Sequence, residues 1–191
     1  VDADVVQLGN LNRQLPAIHS TLGQPKANIV AARLRDINPD CRIVVLREFL
    51  RDERMLEVLD RGFDCVADAI DTLSPKVHLI AESVARGFPV VSSMGAGGKL
   101  DPGCVRTADL ADSTFCKLAA ALRKRLRRLG VRTGVRAVYS TEPVPASAVV
   151  PVTDEPNKKS TLGTISTIPT VFGCHMAAAI LAPVLAEDTA P

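Results

Sequence analysis

The chain has 191 residues, a length typical of one domain, and 47% of them are hydrophobic, which supports a packed core and excludes long disorder. Aromatic residues make up only 3%, too few for an RNA-binding surface built on stacked rings, and the net charge of +2 also argues, as a total, against a nucleic-acid partner. Five cysteines without CxxC spacing argue against a disulfide framework and a paired-thiolate zinc site. No apolar run approaches the ~20 residues that span a bilayer, so we expect a cytoplasmic protein with reduced thiols and no membrane partner.

The first half of the chain is predicted to alternate helices and strands. In chain order we expect a helix over 23–38, a strand over 43–46, a helix over 52–61, a strand over 63–69, a helix over 75–86 and a strand over 88–92. The 3.6-residue spacing in the first helix predicts a buried face made of Ala27, Val30, Ala31, Leu34 and Ile37. Short apolar strands between amphipathic helices are typical of a doubly wound, Rossmann-like α/β fold with a mostly parallel sheet.

The pattern becomes less regular after residue 93, where we expect a C-terminal extension. Its predicted elements are a strand over 105–107, a helix over 115–129, a strand over 135–140, a proline-rich loop over 142–160 and a closing helix over 168–185. No repeat and no clean linker divides the chain. Residues 1–191 are therefore predicted to form a single domain.

Polar and charged residues cluster near the start of the chain. Three segments carry them: Asp2-Ala3-Asp4, then Asn10-Leu11-Asn12-Arg13-Gln14, and then Gly23-Gln24-Pro25-Lys26-Ala27. An acidic residue after a strand can accept hydrogen bonds from ribose hydroxyls, and Arg13 offers a planar fork of donors suited to phosphate. Lys26 lies at a predicted helix start, where backbone N–H groups also favour anions. The pattern fits a triphosphate site, with a polar loop and a helix-start lysine as the alternative.

Asp68-Ala69-Ile70-Asp71 lies at the C-terminal end of the predicted strand over 63–69. Ligands of open α/β sheets bind outside the carboxyl ends of the strands, and an aspartate there can hold Mg²⁺ that bridges phosphates. The alternative is that Asp71 caps the helix that follows, a role for which Ser74 competes.

Gly95-Ala96-Gly97-Gly98 fails the GxGxxG pattern because position 100 is Leu. A strand is predicted after it, whereas a dinucleotide fingerprint needs a helix there. We therefore expect a flexible strand-end loop that lines a cleft.

The small net charge conceals a basic segment. Residues 113–141 contain eight Lys and Arg and no acidic residue, whereas the rest of the chain has 15 basic and 21 acidic residues. An apolar stripe of Leu118, Leu122, Leu126 and Leu129 predicts a helix that packs by one side. Its other sides present a positive field that suits a phosphate backbone, although a solvated basic face is the alternative.

These motifs, in this order and spacing, resemble the ubiquitin-activating-type (ThiF/MoeB-like) adenylyltransferase superfamily. Within it the chain is most similar to the tRNA threonylcarbamoyladenosine dehydratases. That closer resemblance rests on Asp68-Ala69-Ile70-Asp71-Thr72, Pro75-Lys76, Gly95 to Pro102, Asp109-Leu110, the basic helix, Tyr139-Ser140-Thr141-Glu142 and the segment from Gly163 to Gly173. Members that activate sulfur carriers typically have paired CxxC zinc ligands, which this chain does not contain.

The resemblance implies an ATP- and Mg²⁺-dependent enzyme. Its reaction would adenylylate the threonylcarbamoyl carboxylate on adenosine 37 of tRNA and cyclise it with loss of AMP. By the same resemblance Asp2 holds the ATP ribose, and Asn10, Arg13, Gln14 and Lys26 form the nucleotide site. Arg13 and Lys26 stabilise the transition state as catalytic residues, and Asp71 binds Mg²⁺. The tRNA contacts would be made by Arg123, Lys124, Arg125, Arg127 and Arg128.

The resemblance also implies a homodimer and is compatible with a sulfur-transfer partner such as a cysteine desulfurase. The Gly-rich ATP-binding loop of the family precedes the position of Asp2, so we expect the first strand–helix unit of the fold to lie outside this chain. Two alternatives stay open. One is an adenylyltransferase that activates the C-terminus of a sulfur-carrier or ubiquitin-like protein, and the other is a truncated, non-catalytic scaffold.

Overall fold

The computed structural model describes residues 1–145, 148–151 and 160–188. The chain forms two compact units, Val1–Asp52 and Glu53–Pro191, and each is described by itself. The single domain expected from the sequence stays a prediction.

The first unit is a closed loop followed by helix α1 (Lys26–Ile37). Residues 4–6 pair with residues 23–26 through backbone hydrogen bonds. The amide of Lys26 donates to the carbonyl of Asp4 (3.0 Å), and the amide of Val6 donates to the carbonyl of Gln24 (2.9 Å). Between them the chain makes two short 3₁₀ helices, Leu8–Asn10 and His19–Thr21. The backbone pairing brings the start of α1 next to the start of the chain.

Two local predictions for this unit are wrong. Of the expected apolar face of α1, Val30, Leu34 and Ile37 are 42%, 44% and 67% exposed, although Ala31 is buried. Residues 43–46 form no strand. A strand needs a continuous ladder of backbone hydrogen bonds to a neighbouring strand. In the described part of the chain this segment has a backbone hydrogen bond from the amide of Asp2 to the carbonyl of Leu46 (3.1 Å), which does not make a ladder.

The second unit contains the remaining regular elements. They are α2 (Asp52–Leu59, which begins one residue before the unit), β1 (Val66–Asp68), α3 (Leu73–Ala85), β2 (Val90–Ser93), β3 (Val105–Asp109), α4 (Lys117–Arg128), β4 (Val135–Ser140), β5 (Val149–Pro151), β6 (Ser160–Leu162) and α5 (Thr167–Asp188). Strands β1 to β4 form one sheet in the order β1-β2-β4-β3, and β5 pairs with β6 in an antiparallel hairpin. The hairpin falls partly within the predicted proline-rich loop, whose residues 146–147 and 152–159 lie outside the described residues.

The four-stranded sheet is mostly parallel, as predicted. Strands β1, β2 and β4 run parallel, and β3 runs antiparallel to β4. The parallel strands therefore end together, at Asp68, Ser93 and Ser140, along what we call the carboxyl edge of the sheet. The opposite side, where they begin, is the amino edge.

Apolar side chains cover both faces of this sheet. On one face α3 and α4 contribute Val77, Ile80, Ala119, Leu122 and Leu126 to the larger core cluster. On the other face α5 contributes a smaller set, namely Ile168, Phe172, Met176 and Ala179. The helix–sheet–helix layering confirms the doubly wound α/β class and places the core on both sides of the strands.

Helix α5 contains a longer apolar stretch than the sequence analysis predicted. Its residues Thr167–Ala186 form a 20-residue stretch of mean hydropathy 1.8, long and apolar enough to cross a membrane. The expectation that no apolar run approaches that length is therefore wrong. The helix nevertheless packs one face on the sheet, and Leu181, Val184 and Leu185 near its end are exposed.

Helix α4 runs from the carboxyl edge to the amino edge. At its start, a Cβ built on Gly95 would lie 3.6 Å from Sγ of Cys116, the N-cap of the helix. In its last turn, Arg127 lines a small recess together with Asp109 and Val135, which lie at the amino edge. The basic C-terminal end of α4 therefore lies at the amino edge, on the opposite side of the sheet from the carboxyl edge.

Candidate functional site

In the first unit, Lys26 is the first residue of α1 and is held by an ion pair. Its Nζ lies 2.8 Å from Oδ2 of Asp4, and the lysine is almost completely buried while the carboxylate is exposed. A buried ammonium needs a counter-ion, and Asp4 provides it. The sequence motif contained Asp4, but its role as this counter-ion was not predicted.

Asp2 lies beside this pair. One carboxylate oxygen of Asp2 accepts a hydrogen bond from the amide of Asp4 (2.8 Å), which orders the first residues of the chain. The structure therefore links Asp2 to Lys26 through Asp4.

Asn10, Arg13 and Gln14 form a single tight turn. The carbonyl of Asn10 accepts from the amides of Arg13 (3.1 Å) and Gln14 (3.0 Å), and its side chain accepts from the amide of Gln7 (2.9 Å). Nη1 of Arg13 donates to the carbonyl of Gly9 (2.7 Å) and to Oδ1 of Asn12 (2.9 Å). The turn therefore holds the guanidinium of Arg13 at its terminal nitrogen Nη1, and the residue is half-buried.

In the second unit, Asp71 is exposed and lies just beyond the end of β1. The N-cap of α3 is Thr72, whose side chain makes no capping hydrogen bond, and Ser74 lies inside the helix. The interpretation of Asp71 as a helix cap is therefore wrong. Among the described residues no three His, Cys, Asp or Glu side chains converge on one point. A single carboxylate fits Mg²⁺ that takes its other ligands from phosphates and water.

A buried ion pair, unassigned from the sequence, lies next to Asp71. Nζ of Lys76 is 2.6 Å from Oδ2 of Asp68, and both side chains are completely inaccessible to solvent. The same ammonium donates to the carbonyls of Ile70 (2.9 Å) and Ser93 (2.7 Å). Burial lowers the pKa of Lys76, while the charge of Asp68 and its hydrogen bond oppose that shift. A lysine in the first turn of a helix after a strand-end aspartate is the signal that could have suggested the pair.

The glycine-rich loop is a strand-end loop, as predicted, but it is packed rather than open. A Cβ on Gly97 would lie 2.7 Å from Cβ of Leu162, and one on Gly98 would lie 2.7 Å from Cγ1 of Val144. Gly98 also has a positive φ of 71°, and its amide donates to the carbonyl of Gly163 (2.8 Å). The loop needs glycine because Val144, which precedes β5, and Leu162, the last residue of β6, lie directly against it.

Lys99 anchors the end of this loop. It is buried, and its ammonium donates to the carbonyls of Phe115 (3.1 Å) and Glu142. The carboxylate of Glu142 accepts in turn from the amides of Leu100 (2.8 Å) and Asp101 (3.0 Å). The loop, the end of β4 and the start of α4 are therefore tied together at the carboxyl edge.

The basic residues of the predicted tRNA-binding helix, α4, differ in their exposure to solvent. Lys124, Arg125, Arg127 and Arg128 are exposed, as an RNA-binding face requires. Arg123 is partly buried, and its Nη1 donates to the hydroxyl of Ser113 and to its carbonyl (2.7 Å). Within the predicted apolar stripe, Leu122 and Leu126 are buried, whereas Leu129 is exposed.

A Rossmann-like sheet with polar groups gathered at its carboxyl edge is the architecture of nucleotide-binding α/β proteins. The ThiF family profile matches residues 1–190, and the chain belongs to the ThiF family. It is 42% identical over 142 residues to the tRNA threonylcarbamoyladenosine dehydratase of Bacillus subtilis and 39% identical over 149 residues to that of Escherichia coli. Each match covers 74% of this chain and 56% of the relative, so the chain spans just over half the length of these relatives.

The structural comparison agrees. The crystal structure of the E. coli tRNA N6-threonylcarbamoyladenosine dehydratase in complex with ATP superposes with a TM-score of 0.86 at 32% identity. The match covers 98% of this chain and 74% of that structure. The resemblance inferred from the motifs is confirmed at the level of family and fold.

Proposed function

We propose that the protein is an ATP-dependent enzyme that converts threonylcarbamoyladenosine at position 37 of tRNA to its cyclic form. The observation that carries the proposal is the likeness to an ATP-bound dehydratase, together with the presence of the polar residues Asp2, Asn10, Arg13, Lys26 and Asp71. An ordered turn and a buried lysine at a helix start are suited to holding phosphates.

The reaction proceeds in two steps that release pyrophosphate and then AMP. A carboxylate oxygen of the threonylcarbamoyl group attacks the α-phosphorus of ATP, and the bond to the β-phosphate oxygen breaks. A nucleophilic atom of the carbamoyl group then closes the ring on the acyl carbon, loses its proton and displaces AMP. The substrate has lost the elements of water, and ATP has been cleaved to AMP and pyrophosphate.

The chain contributes charge and position to this chemistry. Arg13 and Lys26 contact the phosphates and stabilise the negative charge that develops at the α-phosphate. Asn10 and Gln14 orient the triphosphate, and Asp2 binds the ribose hydroxyls. Asp4 holds the Lys26 ammonium in place before the phosphates arrive. Mg²⁺, which Asp71 would hold, neutralises phosphate charge when it is bound.

The exposed basic residues of α4 supply the tRNA contact in this proposal. Phosphate contacts fix the position of a nucleic acid on a protein without reading its sequence, and they need no aromatic side chains. A cytoplasmic location, a homodimer and a sulfur-transfer partner, such as a cysteine desulfurase, are further parts of this proposal.

The test is turnover by the full-length protein. Purified protein is incubated with ATP, Mg²⁺ and tRNA carrying threonylcarbamoyladenosine, and mass spectrometry of the digested nucleosides is expected to show loss of one water from that nucleoside. Unmodified tRNA is the matched control and is expected to stay unchanged. Adenylylation of the Gly-Gly tail of a small carrier protein, with no change in the tRNA, would contradict the proposal and favour a carrier-activating enzyme.

A further inference from the structure

We propose that Asp68 and Lys76 are a positioning pair that orients Asp71 and thereby sets the affinity of the site for metal-bound nucleotide. The inference rests on the proposed function, because that function gives Asp71 its metal. Neither residue of the pair contacts the nucleotide in this proposal. Both act through the backbone that carries Asp71.

The pair holds Ile70, the residue immediately before Asp71, through both of its main-chain polar groups. Oδ1 of Asp68 accepts from the amide of Ile70 (3.0 Å), and Nζ of Lys76 donates to the carbonyl of the same residue (2.9 Å). With its N–H and C=O both bound, Ile70 cannot rotate without breaking one of these partly buried hydrogen bonds. The direction in which the chain leaves Ile70, and hence the position of Asp71, is set by the pair.

The same ammonium links the two strand ends that border the site. Lys76 donates to the carbonyl of Ser93, the last residue of β2, while its partner Asp68 is the last residue of β1. The hydroxyl of Ser92 donates to Oδ2 of Asp68 (2.5 Å), which completes the network. The Asp71 segment and the glycine-rich loop after β2 are therefore fixed relative to each other through one side chain.

Stability alone is a weak explanation for such a pair. Two fully buried charges lose their hydration, and well-packed apolar residues of similar size often stabilise a protein at least as well. The acceptors that Lys76 reaches are loop and strand-end carbonyls at the carboxyl edge, not groups in the centre of the sheet. The charge of Asp71 also lies within electrostatic reach of Lys76, whose pKa it helps to raise against the effect of burial.

The experiment measures metal binding without requiring turnover. Mn²⁺ replaces Mg²⁺ as the probe, and its binding to the full-length protein in the presence of ATP is followed by electron paramagnetic resonance. ATP binding in EDTA is measured separately. The main variant is Asp68→Asn/Lys76→Met, which removes both buried charges at once. Ser92→Ala is a milder variant that removes only the hydroxyl bond to Asp68. Arg86→Met is the matched control, because Arg86 pairs with Asp60 and Glu82 at the far end of the same helix.

We expect the double variant to lose about tenfold in Mn²⁺ affinity, the scale at which groups behind a metal ligand act. ATP affinity in EDTA should change less than twofold, a split that a general loss of structure would not produce. Ser92→Ala should lose a few fold in Mn²⁺ affinity, and Arg86→Met should bind Mn²⁺ like the wild type. If the double variant does not fold, Ser92→Ala decides the question.

Unchanged Mn²⁺ affinity in a folded variant of the pair would overturn the inference. So would unchanged Mn²⁺ affinity in Asp71→Asn, because the pair would then have no ligand to position. A wild-type protein that binds Mn²⁺ with ATP but does not cyclise the modified tRNA would overturn the proposed function alone. The two failures are thus distinguishable.

Discussion

Among the residues that the structure describes, three lysines are buried almost completely, and each one is held differently. Lys26 pairs with the exposed carboxylate of Asp4, Lys76 with the buried Asp68, and Lys99 donates to two main-chain carbonyls. Lysine is rarely buried unless it is paired. Burial lowers the pKa of Lys76 and of Lys99, so each ammonium depends on its acceptors to stay charged. Each of the two units therefore holds buried lysine charge by hydrogen bonds or ion pairs within that unit.

Replacement of Arg13 is the sharpest test of the nucleotide site at the level of one residue. Arg13→Ala is expected to reduce ATP-dependent cyclisation of the modified tRNA by roughly 100-fold or more, the usual effect of removing one preorganised donor from developing charge. Product formation under single-turnover conditions is the measurement. Arg33→Ala, at an exposed position on α1, is the control. A rate for Arg13→Ala equal to that of the control would remove Arg13 from the chemistry.

The buried ion pair shows what the sequence could not supply at this scale. Asp71 could be placed after a strand because an apolar run ends just before it. The ion pair between Asp68 and Lys76 could not be predicted from the sequence, because it depends on how the first turn of α3 packs against the ends of β1 and β2. The counter-ion role of Asp4 depends likewise on the pairing of residues 4–6 with residues 23–26.

At the level of elements, short apolar runs were a good guide where both faces of the sheet are covered. Strands β1, β2, β3 and β4 all form close to the predicted places, and the two central strands, β2 and β4, are largely buried between the helices. The segment over 43–46 has the same apolar character, yet it forms no strand, because pairing depends on a neighbour and not on composition. The β5–β6 hairpin was not predicted, since prolines at 143, 145, 151 and 156 suggested a loop.

The packing of Val144 on the glycine-rich loop can be tested by adding one methyl group at Gly98. Gly98→Ala is expected to destabilise the protein by about 1–3 kcal/mol, because alanine is strained at positive φ and its Cβ would overlap Val144. Gly163→Ala is the matched control, since nothing lies within 4 Å of the added atom. Chemical denaturation gives the free energy of unfolding. Equal stability of the two variants would show that the loop is not packed as described.

Helix α4 allows a test of the basic surface. A variant with Gln at positions 124, 125, 127 and 128 is expected to bind tRNA more weakly, and the slope of log affinity against log salt should fall by roughly one for each phosphate that the variant no longer binds. Affinity for ATP should not change. Filter binding over a range of salt concentrations is the measurement. Gln at Arg33, Arg42, Arg51 and Arg61, four exposed arginines elsewhere, removes the same charge. An equal effect of the two variants would assign tRNA binding to net charge rather than to α4.

On the scale of the whole molecule, the packed core belongs to one of the two units. Both apolar clusters lie in Glu53–Pro191, whereas Val1–Asp52 contributes few buried apolar residues and exposes much of α1. The composition of the chain indicated a substantial core but not this uneven division. The charge is divided as well, since the basic segment over 113–141 lies entirely in the second unit.

This division predicts that residues 53–191 unfold cooperatively when expressed alone, whereas residues 1–52 do not. Thermal melting followed by circular dichroism is the measurement. Leu122→Ala in the larger fragment should lower its melting temperature, because emptying a fully buried leucine site costs about 2–5 kcal/mol. A gradual, non-cooperative melt of the larger fragment would contradict the prediction.

The direction of α4 has a consequence for how a bound RNA would be read. The helix has 12 residues and so spans about 18 Å, from the edge near Gly95 and Asp71 to the edge where Arg127 lies. An RNA backbone held by Arg127 and Arg128 must therefore extend back along the helix before a base reaches the strand ends. Substrate selection would then work as a measurement of length. Under the proposed function, the nucleotide modified would be one that lies about a helix length from the phosphates bound by Arg127 and Arg128.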